Sequence, residues 1–359
     1  MRSRKSASRA GSDAERGTAV NPVRWGILGT AAIAKSRFIP AMTGASAAAL
    51  VAIASRSAAR AKAVAEEFGI PRHFGSYDAL LDDREIDAVY IPVPNHLHVE
   101  WSVRALSAGK HVLCEKPLCL SAGDVRTLLA AREQSGRHIE EAFSYRNHPQ
   151  WAKIGEVLAS GAIGAPRAVQ CTLAKQFLDP ADIRNDPDRG GGALYDVGSY
   201  AISACTAVFR RAPARVVAAI DRDPAWKIDR LATALLDYGD GHASFTVGTQ
   251  SGPSASATHQ QFSVLASNGW LRCDFPYAHG RPTACHVFIG DHTSAGSIET
   301  ATCAFEPVNQ YTLQVDRFSR YLRGEPVPSR PIEDSLLTLR IIEALFESAR
   351  SGGWQSLAG

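Results

Sequence analysis

The chain has 359 residues, of which 45% are hydrophobic and 21% charged, and its formal net charge is +3. This length exceeds what one hydrophobic core usually supports, so two domains are expected, and no apolar run is long enough to cross a membrane. Residues 1–21 hold five basic and two acidic side chains, which account for the whole net charge, so the remainder offers no basic surface for nucleic acid.

Residues 1–21 are rich in Ser, Ala and Gly and predict a disordered tail. Because no apolar segment follows the basic residues as in a secretion signal, we expect the protein to be cytoplasmic. The seven cysteines form no Cys-x-x-Cys pair, and the eleven histidines form no metal-binding pattern with Asp or Cys. Neither a disulfide framework nor a metal ion is therefore expected.

Residues 22–146 alternate between short apolar segments and helical segments. The predicted strands are Val23–Gly29, Leu50–Ala54, Ala88–Val93, His111–Cys114 and Arg137–Ala142. The predicted helices are Ala31–Ala41, Ala58–Phe68, Val99–Leu106 and Ala122–Gln134. This alternation predicts an α/β fold with an N-terminal Rossmann domain, in which helices cover both faces of a doubly wound parallel sheet.

The pattern changes near residue 147. A predicted helix, Trp151–Ser160, is followed by strand candidates at Ala168–Leu173, Val216–Ile220, Thr233–Tyr238, His242–Gly248, Phe262–Ala266 and Trp270–Phe275. Turn signals such as Asn268-Gly269 between them suit antiparallel hairpins. Residues 147–359 are therefore predicted to form an α+β domain on a predominantly antiparallel open sheet. Its last helix, Pro331–Ser351, could pack on either domain.

The first strand runs into a turn that suits a dinucleotide. Its sequence is Gly29-Thr30-Ala31-Ala32-Ile33-Ala34, in which alanine replaces the second and third glycines of the usual fingerprint. The turn opens a helix whose N-terminal N–H groups would face a pyrophosphate. We therefore predict that residues 29 to 33 bind the cofactor, the alternative being an ordinary strand-to-helix turn.

The end of the second strand indicates which nicotinamide cofactor is bound. An acidic residue there would bind the ribose 2′-hydroxyl of NAD, but the sequence is Ser55-Arg56, with Arg60 one turn later. Guanidinium groups suit a 2′-phosphate, so we expect NADP rather than NAD. The alternative is that Arg56 is a solvated residue at the start of a helix.

Two further segments follow strands of the same sheet. Pro94, Asn95 and His98 come after the third strand, at the edge where nucleotides bind, although a structural turn capped by Asn95 explains them equally well. Glu115-Lys116-Pro117 follows the next strand. We expect Pro94, Asn95, His98, Glu115 and Lys116 to contact the cofactor.

A glycine-rich segment, Gly190-Gly191-Gly192, leads into a helix that carries Asp196 and Tyr200. A spacing of four residues places both side chains on one helical face. The glycines would let substrate or nicotinamide approach the backbone. A tyrosine beside a lysine can transfer a proton if the cation lowers its pKa from about 10. Lys116, Asp196 and Tyr200 are the predicted catalytic residues, the alternative being a structural aspartate and a packed tyrosine.

Together these motifs, with Phe143–Pro149, resemble the Gfo/Idh/MocA family of sugar oxidoreductases from Val23 to Ser351. Much of that family has His where this chain has Tyr200. With tyrosine at this position, the chain resembles the branch of the family that contains glucose-fructose oxidoreductase, NADP-dependent D-xylose dehydrogenase and dimeric dihydrodiol dehydrogenase. The resemblance implies that Tyr200 transfers the proton, that Lys116 is its electrostatic partner and that Asp196 orients the substrate.

The function expected from this resemblance is hydride transfer between NADP and a carbon of a sugar or polyol, most of all the anomeric carbon of D-xylose or D-glucose. The alternatives are a ketosugar reductase of secondary metabolism, a trans-dihydrodiol dehydrogenase, and a regulator that senses NADP without turnover. The resemblance also implies a homodimer or homotetramer formed through the C-terminal sheet, with no nucleic-acid or membrane partner.

Overall fold

The computed structural model describes residues 21–252, 257–277, 285–293 and 296–357. Residues 1–20 of the predicted tail lie outside this described part. No helix within these ranges is both long enough and apolar enough to span a membrane.

Strands and helices alternate in the first part of the chain, and strands predominate in the second. The strands are β1 (Val23–Leu28), β2 (Ala48–Ala54), β3 (Arg72–Phe74), β4 (Ala88–Ile91), β5 (His111–Cys114), β6 (Ile139–Glu141), β7 (Pro166–Ala174), β8 (Arg215–Arg222), β9 (Asp229–Asp237), β10 (His242–Gly248), β11 (His259–Ala266), β12 (Gly269–Cys273), β13 (Cys285–Thr293), β14 (Gly296–Phe305) and β15 (Gln355–Ser356). The helices are α1 (Ile39–Met42), α2 (Ala58–Phe68), α3 (Tyr77–Leu81), α4 (His98–Ser107), α5 (Ala122–Ser135), α6 (Pro149–Ser160), α7 (Ser199–Phe209), α8 (Gln310–Leu322) and α9 (Glu333–Ser351). π-Helical turns at Ala34–Phe38 and Leu194–Gly198 lead into α1 and α7.

The first sheet has six parallel strands in the order β3-β2-β1-β4-β5-β6. Its central strands are almost entirely buried because helices cover both faces. The order reverses between β1 and β4, and the loops after these two strands meet at the carboxyl edge, where α/β sheets bind nucleotides. The predicted fold class is confirmed.

The second sheet has nine strands in the order β14-β13-β12-β11-β7-β10-β9-β8-β15. β7 and β10 pair in parallel, while every other neighbouring pair in this sheet is antiparallel. Side chains alternate along β7, so Val169, Cys171 and Leu173 are buried while Gln170 is exposed. Helices α7 and α9 pack on the buried face.

Helix α8, which the sequence patterns did not predict, returns to the Rossmann sheet. The indole of Trp25 on β1 donates a hydrogen bond to Ser319 Oγ at 3.0 Å, and its ring packs on Phe318 with centroids 5.2 Å apart. Arg317 forms an ion pair with Glu140, which is fully buried at the end of β6. These contacts attach α8 to β1 and β6. The predicted last helix is α9, which packs mainly on β8 of the second sheet and on α5 beside the parallel sheet.

Candidate active site

Two adjoining cavities open at the carboxyl edge of the parallel sheet. The nucleotide cavity, about 430 Å³, is lined by Gly29, Thr30, Ala31, Ser55, Arg56, Ser57, Arg60, Tyr77, Pro92, Val93 and Pro94. The reaction cavity, about 500 Å³, has the predicted site residues Ala31, Ala32, Ile33, Pro94, Asn95, Glu115, Lys116, Asp196 and Tyr200 in its lining. Because they share Ala31 and Pro94, one extended ligand can occupy both.

The first turn is built for close approach to a ligand. Gly29 has φ +122°, a backbone conformation that residues with a Cβ atom rarely adopt, so glycine is required there. The predicted helix Ala31–Ala41 is confirmed as a helical segment, within which the π-helical turn Ala34–Phe38 precedes α1. π-Helical turns are frequent at functional sites, where they change the direction of side chains.

The nucleotide cavity is positively charged at the end of β2. Ser57 Oγ accepts a hydrogen bond from the Arg60 amide at 3.3 Å and caps α2, which directs the start of this helix towards the cavity. Arg56 and Arg60 form no ion pair with any described residue, and no Asp or Glu belongs to the lining given above. Two free guanidinium groups at the start of a helix suit a phosphate ester better than a ribose hydroxyl.

Lys116 and Asp196 form the centre of the reaction cavity. The Lys116 ammonium donates to Asp196 Oδ1 at 2.8 Å and to the Asp196 carbonyl oxygen at 3.0 Å. Arg184 Nε donates to the other carboxylate oxygen, Oδ2, at 3.0 Å. The carboxylate therefore joins a loop after β5, the π-helical turn before α7 and the loop that carries Arg184.

The Asp196 carboxyl stays ionised between its two cations. Burial raises the pKa of the Asp196 carboxyl, but Arg184 and Lys116 together outweigh burial and hold the pKa well below its ordinary value. Asp196 in turn raises the pKa of Arg184 above its ordinary value. The carboxylate is thus ionised throughout the neutral range, and it orients Lys116 rather than donating a proton itself.

Tyr200 is 6% exposed and lies below Lys116, whose ammonium is 5.1 Å from the centre of the ring. Phe143, Tyr145 and Tyr277 surround the same ring, with centroids 5.3 to 5.5 Å away. Burial raises the pKa of Tyr200 well above its ordinary value, so the expected lowering by Lys116 does not prevail in this environment. The phenol is protonated at neutral pH.

Glu115 holds the loop after β5 in place. Its Oε1 accepts a hydrogen bond from the Tyr90 hydroxyl at 2.6 Å, and its Oε2 accepts one from the Lys116 amide at 3.1 Å. Burial raises the pKa of Glu115 above its ordinary value, although Lys116 and Tyr90 oppose this. Asn95 Nδ2 donates to the Gly190 carbonyl at 3.0 Å and ties the loop after β4 to the glycine-rich segment.

The structure corrects the direct cofactor contact predicted for His98. Its side chain is fully buried, and its two ring nitrogens lie 2.8 Å from the carbonyl oxygens of Pro117 and Val93. Burial lowers the pKa of His98 to about 4, so the neutral ring has one N–H to donate. His98 therefore lies behind the cavity between two loops of the sheet edge, and its one N–H bonds one of the two carbonyl oxygens.

The interpretation of the glycine-rich segment also changes. A Cβ atom on Gly191 would lie 2.5 Å from the Arg184 carbonyl oxygen, and one on Gly192 would lie 1.9 Å from Asp229 Oδ1. The Asp229 carboxylate also accepts a hydrogen bond from the Leu194 amide at 2.6 Å. The glycines thus make room for the protein's own Arg184 loop and for Asp229, which together fix the turn that carries Asp196.

Five other polar residues of the reaction cavity were absent from the predicted site: Arg37, Lys175, Asp182, Arg184 and Tyr311. Arg184 precedes the glycine-rich segment, and this position in the sequence could have identified it as a site residue. Lys175 follows β7 of the other sheet, and no described residue forms a hydrogen bond or ion pair with its ammonium. Burial lowers the pKa of Lys175 below its ordinary value, which suits a lysine that gains a partner when substrate binds.

Comparison with known proteins confirms the resemblance. Residues 23–143 match the GFO/IDH/MocA oxidoreductase family, NAD-binding Rossmann fold, and residues 151–272 match the C-terminal domain of the same family. The chain is 43% identical to an oxidoreductase of Rhizobium meliloti, over 93% of this chain and 99% of that one. It is 38% identical to a D-xylose 1-dehydrogenase (NADP+) of Haloferax volcanii, over 91% of this chain and 98% of that one.

A solved structure shows the same architecture over the length of the chain. A 3-ketoreductase from Actinomadura kijaniata, crystallised with NADP and TDP-benzene, superimposes with a TM-score of 0.81 at 30% identity. The match covers 91% of this chain and 98% of the ketoreductase. Both sheets therefore belong to the shared fold.

The buried carboxyl of Asp229 predicts a distinctive pH dependence of stability. Burial raises the pKa of Asp229 to about 6, from an ordinary value of 3.8. The folded state therefore binds more protons than the unfolded state between these values, and the free energy of unfolding falls as pH rises through them, by about 3 kcal/mol. Urea unfolding from pH 4 to 7 measures this fall, and Asp229→Asn should reduce it. Parallel profiles for both proteins would contradict the assignment.

Proposed function

Since the chain belongs to the Gfo/Idh/MocA family of oxidoreductases, we propose that it is an NADP-dependent aldose 1-dehydrogenase acting on sugars of the D-xylose or D-glucose type. The observation that carries this proposal is the position of Lys116, Asp196 and Tyr200 in a cavity that adjoins the nucleotide cavity. The similarity to the xylose dehydrogenase supports the choice of substrate.

The reaction removes a hydride from the anomeric carbon and a proton from its hydroxyl group, which converts the aldose to a lactone. NADP, when bound, supplies the hydride acceptor. Lys116 donates a hydrogen bond to the sugar oxygen and stabilises negative charge that develops there. The hydroxyl proton passes to the phenolate form of Tyr200, which the raised pKa makes the minor form at neutral pH, and Asp196 keeps Lys116 above the tyrosine ring.

NADP is the cofactor that the nucleotide cavity favours. Arg56 and Arg60 would contact the 2′-phosphate, Ser55 would lie beside the ribose, and residues 29 to 33 would face the pyrophosphate. Pro94, Asn95 and Glu115 would shape the passage into the reaction cavity. The lack of a carboxylate in the lining of the nucleotide cavity removes a repulsive contact with the phosphate.

A second candidate is reduction of a ketosugar. The raised pKa of Tyr200 favours this direction, because a protonated phenol can donate its proton to a carbonyl oxygen at neutral pH. The similarity to a 3-ketoreductase supports the same reading. Initial rates with aldoses and NADP, compared with rates for ketosugars and NADPH, distinguish the two candidates.

We further propose that the protein forms a homodimer or homotetramer through its second sheet. The face opposite α7 and α9 presents polar side chains that line a shallow hollow, among them Gln170, Thr172, Ser244 and Thr246. Such a face can pair with its own copy about a twofold axis. Sedimentation velocity of the purified chain measures the assembly.

The cofactor assignment predicts the effect of Arg56→Ala. Loss of one guanidinium from the 2′-phosphate site should raise the KM for NADP by at least about tenfold, since charge-assisted hydrogen bonds contribute up to about 3 kcal/mol. The KM for NAD, which has no 2′-phosphate, should change little and serves as the internal control. Equal effects on both cofactors would contradict the proposed role of Arg56.

The catalytic assignment predicts that Lys116→Ala and Tyr200→Phe each lower kcat by about 100-fold or more, while the Kd for NADP stays near that of the unchanged protein. Because the Tyr200 pKa is raised above 10.0, the oxidation rate should rise with pH between 7 and 10.

Tyr238→Phe is the matched control, since the buried Tyr238 hydroxyl has no hydrogen-bond partner among the described residues and does not line the reaction cavity. It should leave kcat unchanged. Retention of nearly full turnover by Tyr200→Phe across this pH range would exclude Tyr200 as the proton-transfer group.

A further inference from the structure

A third cavity, of about 820 Å³, shares no lining residue with the nucleotide and reaction cavities. It lies among α6, the end of α7, α8 and the segment before α9. Its charged lining residues are mostly basic: Arg146, Arg210, Arg211, Arg317, Arg320 and Arg330 face Asp316 and Asp334. We call this the arginine cavity. Its volume lies in the range of small-molecule sites.

The inner wall of the arginine cavity holds more positive than negative charge. Arg146 pairs with Asp334 at 3.0 Å, and Arg317 pairs with the buried Glu140. Arg330 lies near both arginines but forms no ion pair with a described residue. The lining as a whole holds six arginines and two aspartates, and Arg330 is an arginine without an ion pair to a described residue.

The guanidinium group of Arg330 has hydrogen-bond partners for only part of its donors. Its Nη2 donates to the Arg146 carbonyl oxygen at 3.0 Å, but its buried Nε has no hydrogen-bond partner within the described ranges. Burial, together with the neighbouring Arg146 and Arg317, lowers the pKa of Arg330 below its ordinary value. A buried guanidinium with an unused donor is unfavourable unless an anion compensates it.

Arg210, at the rim of the cavity, has a backbone conformation that is unusual for an arginine. It ends α7 in the left-handed conformation, with φ 54°, whereas glycine occupies that position at the ends of α2, α5, α6 and α9. Side chains with a Cβ atom disfavour this conformation, so the backbone does not explain an arginine here. Its exposed side chain lines the cavity and forms no ion pair with a described residue.

We propose that the arginine cavity is a second binding site, separate from the active site, for a small anion that carries phosphate groups. Arg330 at the wall and Arg210 at the rim are its two uncompensated cations. Guanidinium groups bind phosphate oxygens through paired N–H donors, and both arginines line the cavity without an ion pair to a described residue.

The test uses isothermal titration calorimetry of the full chain with pyrophosphate at constant ionic strength. The nucleotide cavity is a competing phosphate site, at the turn of residues 29 to 33 as well as at Arg56 and Arg60, so the titration is made with that cavity saturated by NADP. We expect one saturable site, at least tenfold weaker binding after Arg330→Gln, and several-fold weaker binding after Arg210→Gly. Arg272→Gln, which changes an exposed arginine outside the cavity, should leave the affinity unchanged.

Arg210→Gly keeps the test decisive if Arg330→Gln fails to fold, because glycine relieves the left-handed backbone and should raise the melting temperature while it weakens binding. The proposal is overturned if pyrophosphate shows no saturable binding, or if Arg210→Gly and Arg330→Gln both bind it normally. Citrate provides a carboxylate comparison. Binding of citrate without binding of pyrophosphate would also overturn the choice of a phosphate ligand.

Discussion

The Asp196 carboxylate is the contact on which the arrangement of the candidate site depends. It accepts hydrogen bonds from Lys116 on one side and Arg184 on the other, at 2.8 and 3.0 Å. The two cations come from different parts of the fold. Lys116 lies in the loop after β5 of the parallel sheet, and Arg184 lies in the loop before α7. Because burial would otherwise neutralise the carboxyl, the pair of cations is what keeps it charged.

This ionic contact is positioned by two local features of the fold. The π-helical turn Leu194–Gly198 carries Asp196, and Asp229 fixes the start of that turn through the Leu194 amide. On the other side, Glu115 accepts a hydrogen bond from the Lys116 amide, and Tyr90 holds Glu115. The result is a buried tyrosine beneath an oriented ammonium group, which suits proton transfer to or from a sugar oxygen.

The alternation of apolar segments predicted five of the six strands of the first sheet and six of the nine strands of the second, because strand and helix periods differ and turn signals separate the hairpins. Strands β3, β13, β14 and β15 were missed. Helix α8 was missed although its sequence carries a local signal, since the buried Tyr311, Val315 and Phe318 recur at helical spacing after the capping residue Asn309. Lys116 and Asp196 were predicted to share one catalytic site, because Asp196 lies on one helical face with Tyr200 and both motifs resemble those of the family. Lys175 was not, because it arrives from the other sheet, and residue type alone could not reveal that His98 points away from the cavity.

The most direct test of the account is the Asp196→Asn variant, with NADP affinity and aldose turnover measured on the same preparation. If Asp196 acts by holding Lys116 above Tyr200, kcat should fall by about 100-fold or more while the Kd for NADP changes less than about threefold. Turnover near that of the unchanged protein, or a loss of NADP affinity as large as the loss of turnover, would contradict the central role given to this carboxylate.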